Sequence, residues 1–149
     1  MKSAGENVVA VNDDNIINYL WKLVGLPYIW GGKGPDGFDC SGLVIEILKA
    51  RGICKSNYDA TAHELFIRTM TGGTNKPVKH ALAFYGKLDR ITHVGYCINS
   101  ELMIEAGGGN STCIDLASAS KLGAFVRLRP IYSRKDFKAT HLPDKKHFY

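Results

Sequence analysis

Apolar residues at Ile16, Ile17, Leu20, Leu23 and Val24 recur at the three- and four-residue spacing of an amphipathic helix. Asn12-Asp13-Asp14 ahead of them supplies an N-cap and acids for the first turn, and Gly25, with Pro27 beyond it, ends the run. From Gly25 to Phe38 five glycines and two prolines break every period, which reads as a loop. A second helix is predicted from Asp39 as its N-cap, with Leu43, Val44, Ile47 and Leu48 on one face and Gly52 closing it. A third runs from about Asp59 to Met70, where Thr61 and Glu64 have capping-box spacing ahead of Leu65, Phe66 and Ile67. After Gly72-Gly73 the pattern turns extended. Ala81–Tyr85, Thr92–Ile98, Leu102–Ala106, Ser111–Asp115 and Phe125–Arg129 are short runs bounded by Gly, Asn and Ser. Three helices followed by about five strands is an α+β order with an antiparallel sheet.

At 149 residues the chain is one domain's worth and needs no disulfide staple. Its composition, 45% hydrophobic and 22% charged, excludes a disordered acidic chain and a collagenous repeat. No apolar run approaches the ~20 residues of a membrane-spanning helix, and Met1 to Glu6 lacks the apolar stretch of a secretory signal. Without that stretch the expectation is cytoplasmic synthesis, or a mature secreted form. The net charge of +5 resides wholly after residue 126, so the expected organisation is one domain over 1–133 and a basic tail over 134–149. Such a tail attracts anionic polymers or simply stays solvated. Tyr132, Phe137, Phe148 and Tyr149 show no repeated aromatic-basic pattern, so nucleic acid is not an expected partner. Cys40, Cys54, Cys97 and Cys113 lack the spacing of a zinc site or a redox dithiol, so no metal or other cofactor is expected.

One of these thiols sits where chemistry is favoured. Cys40 follows the N-cap Asp39 and falls in the first turn of a helix, where unpaired N–H groups and the positive dipole end favour a thiolate and can hold an oxyanion. The competing reading is a buried structural cysteine. Of the histidines, His80, His141 and His147 fall in loop or tail and His63 reads as a satisfied mid-helix residue. His93 opens the best strand, which can hold an imidazole at a fixed distance. If Asn99-Ser100-Glu101 is a three-residue hairpin loop, Gly95 faces Glu105, which then lies on the His93 face, diagonal to it, with Gly95 leaving the space open. A two-residue turn would put Glu105 on the other face, as a solvated carboxylate. Cys97 shares the His93 face and reads as a packed small hydrophobe.

At these residues the chain resembles a known family. Pro27-Tyr28-Ile29-Trp30-Gly31-Gly32 and Gly37-Phe38-Asp39-Cys40-Ser41-Gly42-Leu43-Val44 are similar to the nucleophile motif of NlpC/p60 cell-wall cysteine peptidases. Ala83-Phe84-Tyr85-Gly86 with His93-Val94-Gly95 resembles the second motif, and Met103-Ile104-Glu105-Ala106 stands where the third polar residue is carried. The resemblance implies a papain-like fold with the cysteine helix packed on an antiparallel sheet. It implies hydrolysis of peptidoglycan stem peptides at the γ-D-glutamyl to diamino acid bond, and with it delivery to the cell wall by a phage-type or secretion-system route unless the chain is a mature secreted form. It further implies Cys40 as nucleophile, His93 as base and acid, Tyr28 at the oxyanion site, and Asp39, Ser41 and Trp30 on the substrate. The departure is Glu105, where the family usually has His, Asn or Gln; a carboxylate there can accept the imidazole N–H and stabilise the imidazolium. The alternatives are a non-catalytic wall-binding domain and a thiol-dependent acyltransferase on the same scaffold. The basic tail is expected to add attraction to an anionic wall polymer, so that removing residues 134–149 weakens wall binding mainly at low salt.

Overall fold

The computed structural model describes residues 13–149, so the proposed N-cap Asn12 lies outside the described residues. Four α-helices, α1 (Asp13–Leu23), α2 (Cys40–Ala50), α3 (Ala62–Arg68) and α4 (Leu116–Leu122), accompany six strands. The strands are β1 (Gly73–Thr74), β2 (Leu82–Lys87), β3 (Arg90–Cys97), β4 (Leu102–Gly107), β5 (Phe125–Pro130) and β6 (Phe137–His141). They form one antiparallel sheet in the order β1-β6-β2-β3-β4-β5. The order of helices and sheet is the expected α+β, papain-like class, with six strands rather than about five.

The two-residue period of the strands divides the core. On one face Leu82, Phe84, Val94, Tyr96 and Ile104 pack against α1, α2 and α3, through residues such as Ile16, Leu20, Leu43, Ile47 and Leu65. On the other, Ala81, Ala83, Tyr85, Cys97, Met103 and Ile131 form a smaller cluster. The helix starts follow local chemistry. Asp39 caps α2 by accepting from the Gly42 N–H, and Thr61 and Glu64 close a reciprocal capping box on α3. Among the described residues no helix is long and apolar enough to cross a membrane.

Three expectations are corrected. Ser111–Asp115 is not a strand: Asn110 Oδ1 accepts from the Thr112 N–H in a turn, and Asp115 and Ser118 form a capping box that starts α4. The third helix is shorter than Asp59–Met70, because the chain tightens into a single 3-10 turn at Met70–Gly72. Residues 134–149 are not a tail outside a 1–133 domain, because β6 lies between β1 and β2 and is part of the sheet. There Thr140, His141 and Phe148 are buried, His141 Nδ1 lies 3.0 Å from the Thr69 hydroxyl, and Phe148 meets Tyr58 edge-on at 5.2 Å. The cations Lys135, Lys138, Lys145 and Lys146 all occupy exposed positions, so their charge masked an element with a buried side.

Removing residues 134–149 therefore takes out an inner strand. The truncated protein is expected to lose cooperative thermal unfolding, whereas Lys145→Gln with Lys146→Gln should change stability by no more than about 0.5 kcal/mol, both read by calorimetry.

Candidate active site

The nucleophile motif is a close packing of loop on helix. Asp39 N–H donates to the Gly32 carbonyl at 3.0 Å, and a side chain at Gly42 would collide with that same carbonyl. Gly42 is thus what lets the start of α2 sit down on the glycine loop. Cys40 becomes the first residue of α2, half-buried, with its own N–H lacking an acceptor within the helix. Its Sγ lies 4.0 Å from the Thr92 carbonyl oxygen, and the thiol is near enough to the His93 ring to favour its protonated form.

His93 and Glu105 meet as the hairpin register requires. Tyr96 pairs with Ile104, Cys97 with Met103, and the Ile98 N–H donates to the Leu102 carbonyl at 2.9 Å, which is the register of a three-residue loop. His93 Nε2 lies 2.7 Å from Glu105 Oε1. The space over Gly95 is not open, however; a side chain there would strike the Met103 sulfur, which packs beside the pair. Glu105 has no exposed surface. Its Oε2 accepts from Arg127 Nε at 2.9 Å, and Arg129 Nη1 stands 3.6 Å away. Gly107 leaves room for this arrangement, since a Cβ would fall 2.6 Å from Oε2.

These contacts set the protonation states. Burial alone would push the Glu105 carboxyl up, but the hydrogen bonds and positive charges of His93 and Arg127 bring it down to about 2. Ionised, it is acceptor only, so Nε2 carries the proton that it receives and Nδ1 is the nitrogen left for Cys40. Burial opposes a charged His93, yet its bonds to Cys40 and Glu105 outweigh this and raise its pKa above the ordinary 6.5. Burial, followed by the charges of Cys40 and Asp39, raises the Tyr28 hydroxyl, which stays a neutral donor. Asp39 is raised by burial, in opposition to the hydrogen bonds it accepts while capping α2.

A cleft of about 580 Å³ opens over this site, and Tyr28, Trp30, Asp39, Cys40, Ser41 and Thr92 are among its lining residues. All the residues singled out from the sequence meet here, His93 and Glu105 buried behind Cys40 and the others at the cleft. Trp30 is 58% exposed there, while Ser41 is buried, with its hydroxyl 3.4 Å from Asp39. Asp39 serves first as the α2 cap, so its part in the cleft is shared with a structural one. His63 is a satisfied structural residue, accepting from the Ile91 N–H at 3.0 Å, and Cys97 is fully buried, its thiol pushed up to about 12. Sequence reasoning missed the Lys33–Asp59 ion pair at the cleft wall, 2.8 Å long, and the two arginines behind Glu105. The signal for the arginines was their alternation: Arg127 is the direct cross-strand partner of Glu105 in the β4–β5 ladder, and Arg129 follows two residues later. Among the described residues no group of His, Cys, Asp and Glu could hold a metal ion.

The sequence profile described as NlpC/P60 family matches residues 25–126, a stretch that includes Tyr28, Cys40, His93 and Glu105. The chain belongs to the NlpC/P60 family. It is 30% identical over 127 residues to the bifunctional muramidase/DL-endopeptidase CwlT of Bacillus subtilis, covering 79% of this chain and 38% of that one. It is 50% identical over 40 residues to a gamma-D-glutamyl-L-lysine dipeptidyl-peptidase of Bacillus cereus, covering 27% of this chain and 12% of that one. The chain thus spans well under half the length of these curated relatives. An NlpC/P60 family protein from Bacillus cereus superposes over 95% of this chain and 44% of that one, with a TM-score of 0.67 and 22% identity, and shows the same fold. Within the NlpC/P60 frame, Glu105 with its arginine pair distinguishes this chain from the His, Asn or Gln expected there.

The buried pair gives stability a defined pH window. Glu105, lowered when folded, stabilises above its ordinary value of 4.5 and loses that effect as pH falls toward 2. His93, raised when folded, stabilises below 6.5 and loses that effect as pH rises through its folded value. The gap in Tm between native protein and Glu105→Gln should therefore be widest between pH 4.5 and 6.5, worth about 3 kcal/mol, and narrow on both sides. Thermal melts across pH measure it.

Proposed function

We propose that the protein is a cysteine endopeptidase that cleaves peptidoglycan stem peptides at the γ-D-glutamyl to diamino acid bond. The observation that carries this reading is the line Cys40–His93–Glu105, with a half-buried thiol at a helix start and an imidazole oriented by an ionised carboxylate. The names of the relatives supply the substrate class: one is called a DL-endopeptidase and the other a gamma-D-glutamyl-L-lysine dipeptidyl-peptidase.

In this reading His93 Nδ1 takes the proton of Cys40, and the resulting thiolate attacks the scissile carbonyl carbon. A C–S bond forms and the carbonyl electron pair moves onto oxygen, where the Cys40 N–H and the Tyr28 hydroxyl receive it. The imidazolium gives its proton to the leaving nitrogen, the C–N bond breaks, and a thioester remains on Cys40. Water then loses a proton to His93 as it attacks the thioester, releasing the acid and restoring the thiol. Glu105 holds the ring and offsets its positive charge at each transfer. Asp39, with Ser41 beside it, suits the ammonium at the free amino end of the peptide, and the exposed Trp30 offers a flat wall for the peptide backbone.

Mass spectrometry of purified peptidoglycan after digestion tests the reading. Native protein should release stem-peptide fragments cut after D-glutamate, from walls of diaminopimelate or lysine type, and Cys40→Ala should release none. Fragmentless digests from both proteins on both wall types would overturn it. Tyr28→Phe is expected to lower kcat by about 10²-fold with KM little changed, as steady-state kinetics on an isolated stem peptide would show.

A further inference from the structure

The cleft continues past the nucleophile into a second groove, about 560 Å³ in volume, which shares Arg90 and Thr92 with it. Two strand irregularities build this groove. In the β2–β3 ladder Tyr85 pairs with His93 and Gly86 with Ile91, which leaves Thr92 as an extra residue. In the β2–β6 ladder Phe84 pairs with Ala139 and Tyr85 with Phe137, which leaves Lys138 as an extra residue. Both extra residues line the groove, on either side of the same stretch of β2. Gly86 lies between them with φ +126°, and a Cβ there would come within 2.8 Å of the Arg90 carbonyl oxygen and 2.9 Å of the Thr92 nitrogen. Only glycine fits that position.

The groove is strongly basic. Lys87, Arg90, Lys135 and Lys138 line it, all exposed, and among the described residues none of them has an ion-pair partner. The one acid in the lining, Asp136, is already held by Arg134 through two bonds of 3.0 and 2.9 Å. The first cleft is mixed in charge, with Asp39, Glu64 and the paired Lys33 and Asp59 in its lining beside the shared Arg90. A bound chain that passes Cys40 therefore crosses from a region of mixed charge, with Asp39 beside the thiol, to a cation-lined one, and Thr92, whose carbonyl is 4.0 Å from Sγ, lies at the crossing.

We propose that the basic groove is the subsite for the leaving half of the substrate and that it takes a carboxylate-bearing peptide end. The proposal rests on the peptidase reading above, which puts the ammonium end and the oxyanion donors on the Tyr28 and Asp39 side. The half released as an amine then extends over Thr92 into the groove, where four cations can meet a terminal carboxylate. A wall-polymer phosphate is the rival anion. The groove joins the cleft through Arg90 and Thr92, beside the thiol, which favours a segment of the cleaved peptide over a long polyanion.

The probes are two tetrapeptides, L-Ala-γ-D-Glu-L-Lys-D-Ala, one with a free C-terminal carboxylate and one with a C-terminal carboxamide. For native protein kcat/KM should favour the carboxylate by about ten-fold at low salt, and 0.5 M NaCl should erase most of the preference. In the Lys135→Gln/Lys138→Gln protein the ratio should fall toward one, with an unchanged Tm as the check on folding. Equal cleavage of both peptides by native protein overturns the subsite and leaves the peptidase reading standing. So does an unchanged ratio in the double variant whose retention on teichoic-acid-bearing walls is lost, which assigns these cations to the polymer. If neither peptide is cut, equilibrium binding to Cys40→Ala protein decides. Tighter binding of the carboxylate, abolished by the double substitution, upholds the groove while the peptidase reading falls, and equal binding overturns both.

Discussion

Everything at the site depends on a carboxylate with no exposed surface. An ionised Glu105 inside the protein is tolerable only because each oxygen meets a donor, His93 on one side and Arg127 on the other, with Arg129 close behind. Those donors arrive on the two strands that flank its own, so the charge ties β3, β4 and β5 into one register. A one-residue slip anywhere in that set would bury an unmet charge, a cost of several kcal/mol. The same demand fixes the imidazole: because Glu105 takes Nε2, the ring can offer only Nδ1 to Cys40. Here the electrostatics that hold the sheet together are also those that aim the base.

The nucleophile is placed by a different constraint, the closeness of backbone to backbone. The start of α2 rests on the Gly32 carbonyl with no room for a side chain at Gly42, and Asp39 reaches over to cap it. The two devices meet at β3. Its extra residue, Thr92, returns Ile91 to the helix-packed face, where Ile91 meets the His63 ring of α3, and leaves the Thr92 carbonyl beside Sγ. A strand without that irregularity would turn Ile91 toward the other face and lose its anchor on α3.

Much of this was legible in the sequence, because its signals were local. The caps at Asp39 and at Thr61 with Glu64, the helical spacing of α1 and α2, and the loop length that sets the Glu105 register all lie within a few residues of one another. What escaped depended on distant partners. β6 looked like a charged tail because its cations mark the exposed positions and its buried ones, Thr140 and His141, are polar residues whose cover comes from Thr69 and Phe66 far earlier in the chain. α4 escaped because Asp115 and Ser118 sit in a stretch whose Ile114 and Cys113 favour a strand. Arg127 and Arg129 carried a two-residue alternation, but nothing nearby indicated that the strand beside them held a buried acid.

The position of β6 bears on how the protein is made. It covers the outer edge of β2, yet it is synthesised roughly 55 residues after that strand, on the order of several seconds at ~5–20 residues per second. Throughout that interval the backbone groups of Leu82–Tyr85 lie along an open edge, flanked by some of the most apolar residues in the chain. The growing chain thus passes through a stage at which the helices and the β2–β3 hairpin already exist but the sheet can still pair with a stranger. The newborn protein is most vulnerable to aggregation in that interval, and the arrival of Phe137–His141 ends it.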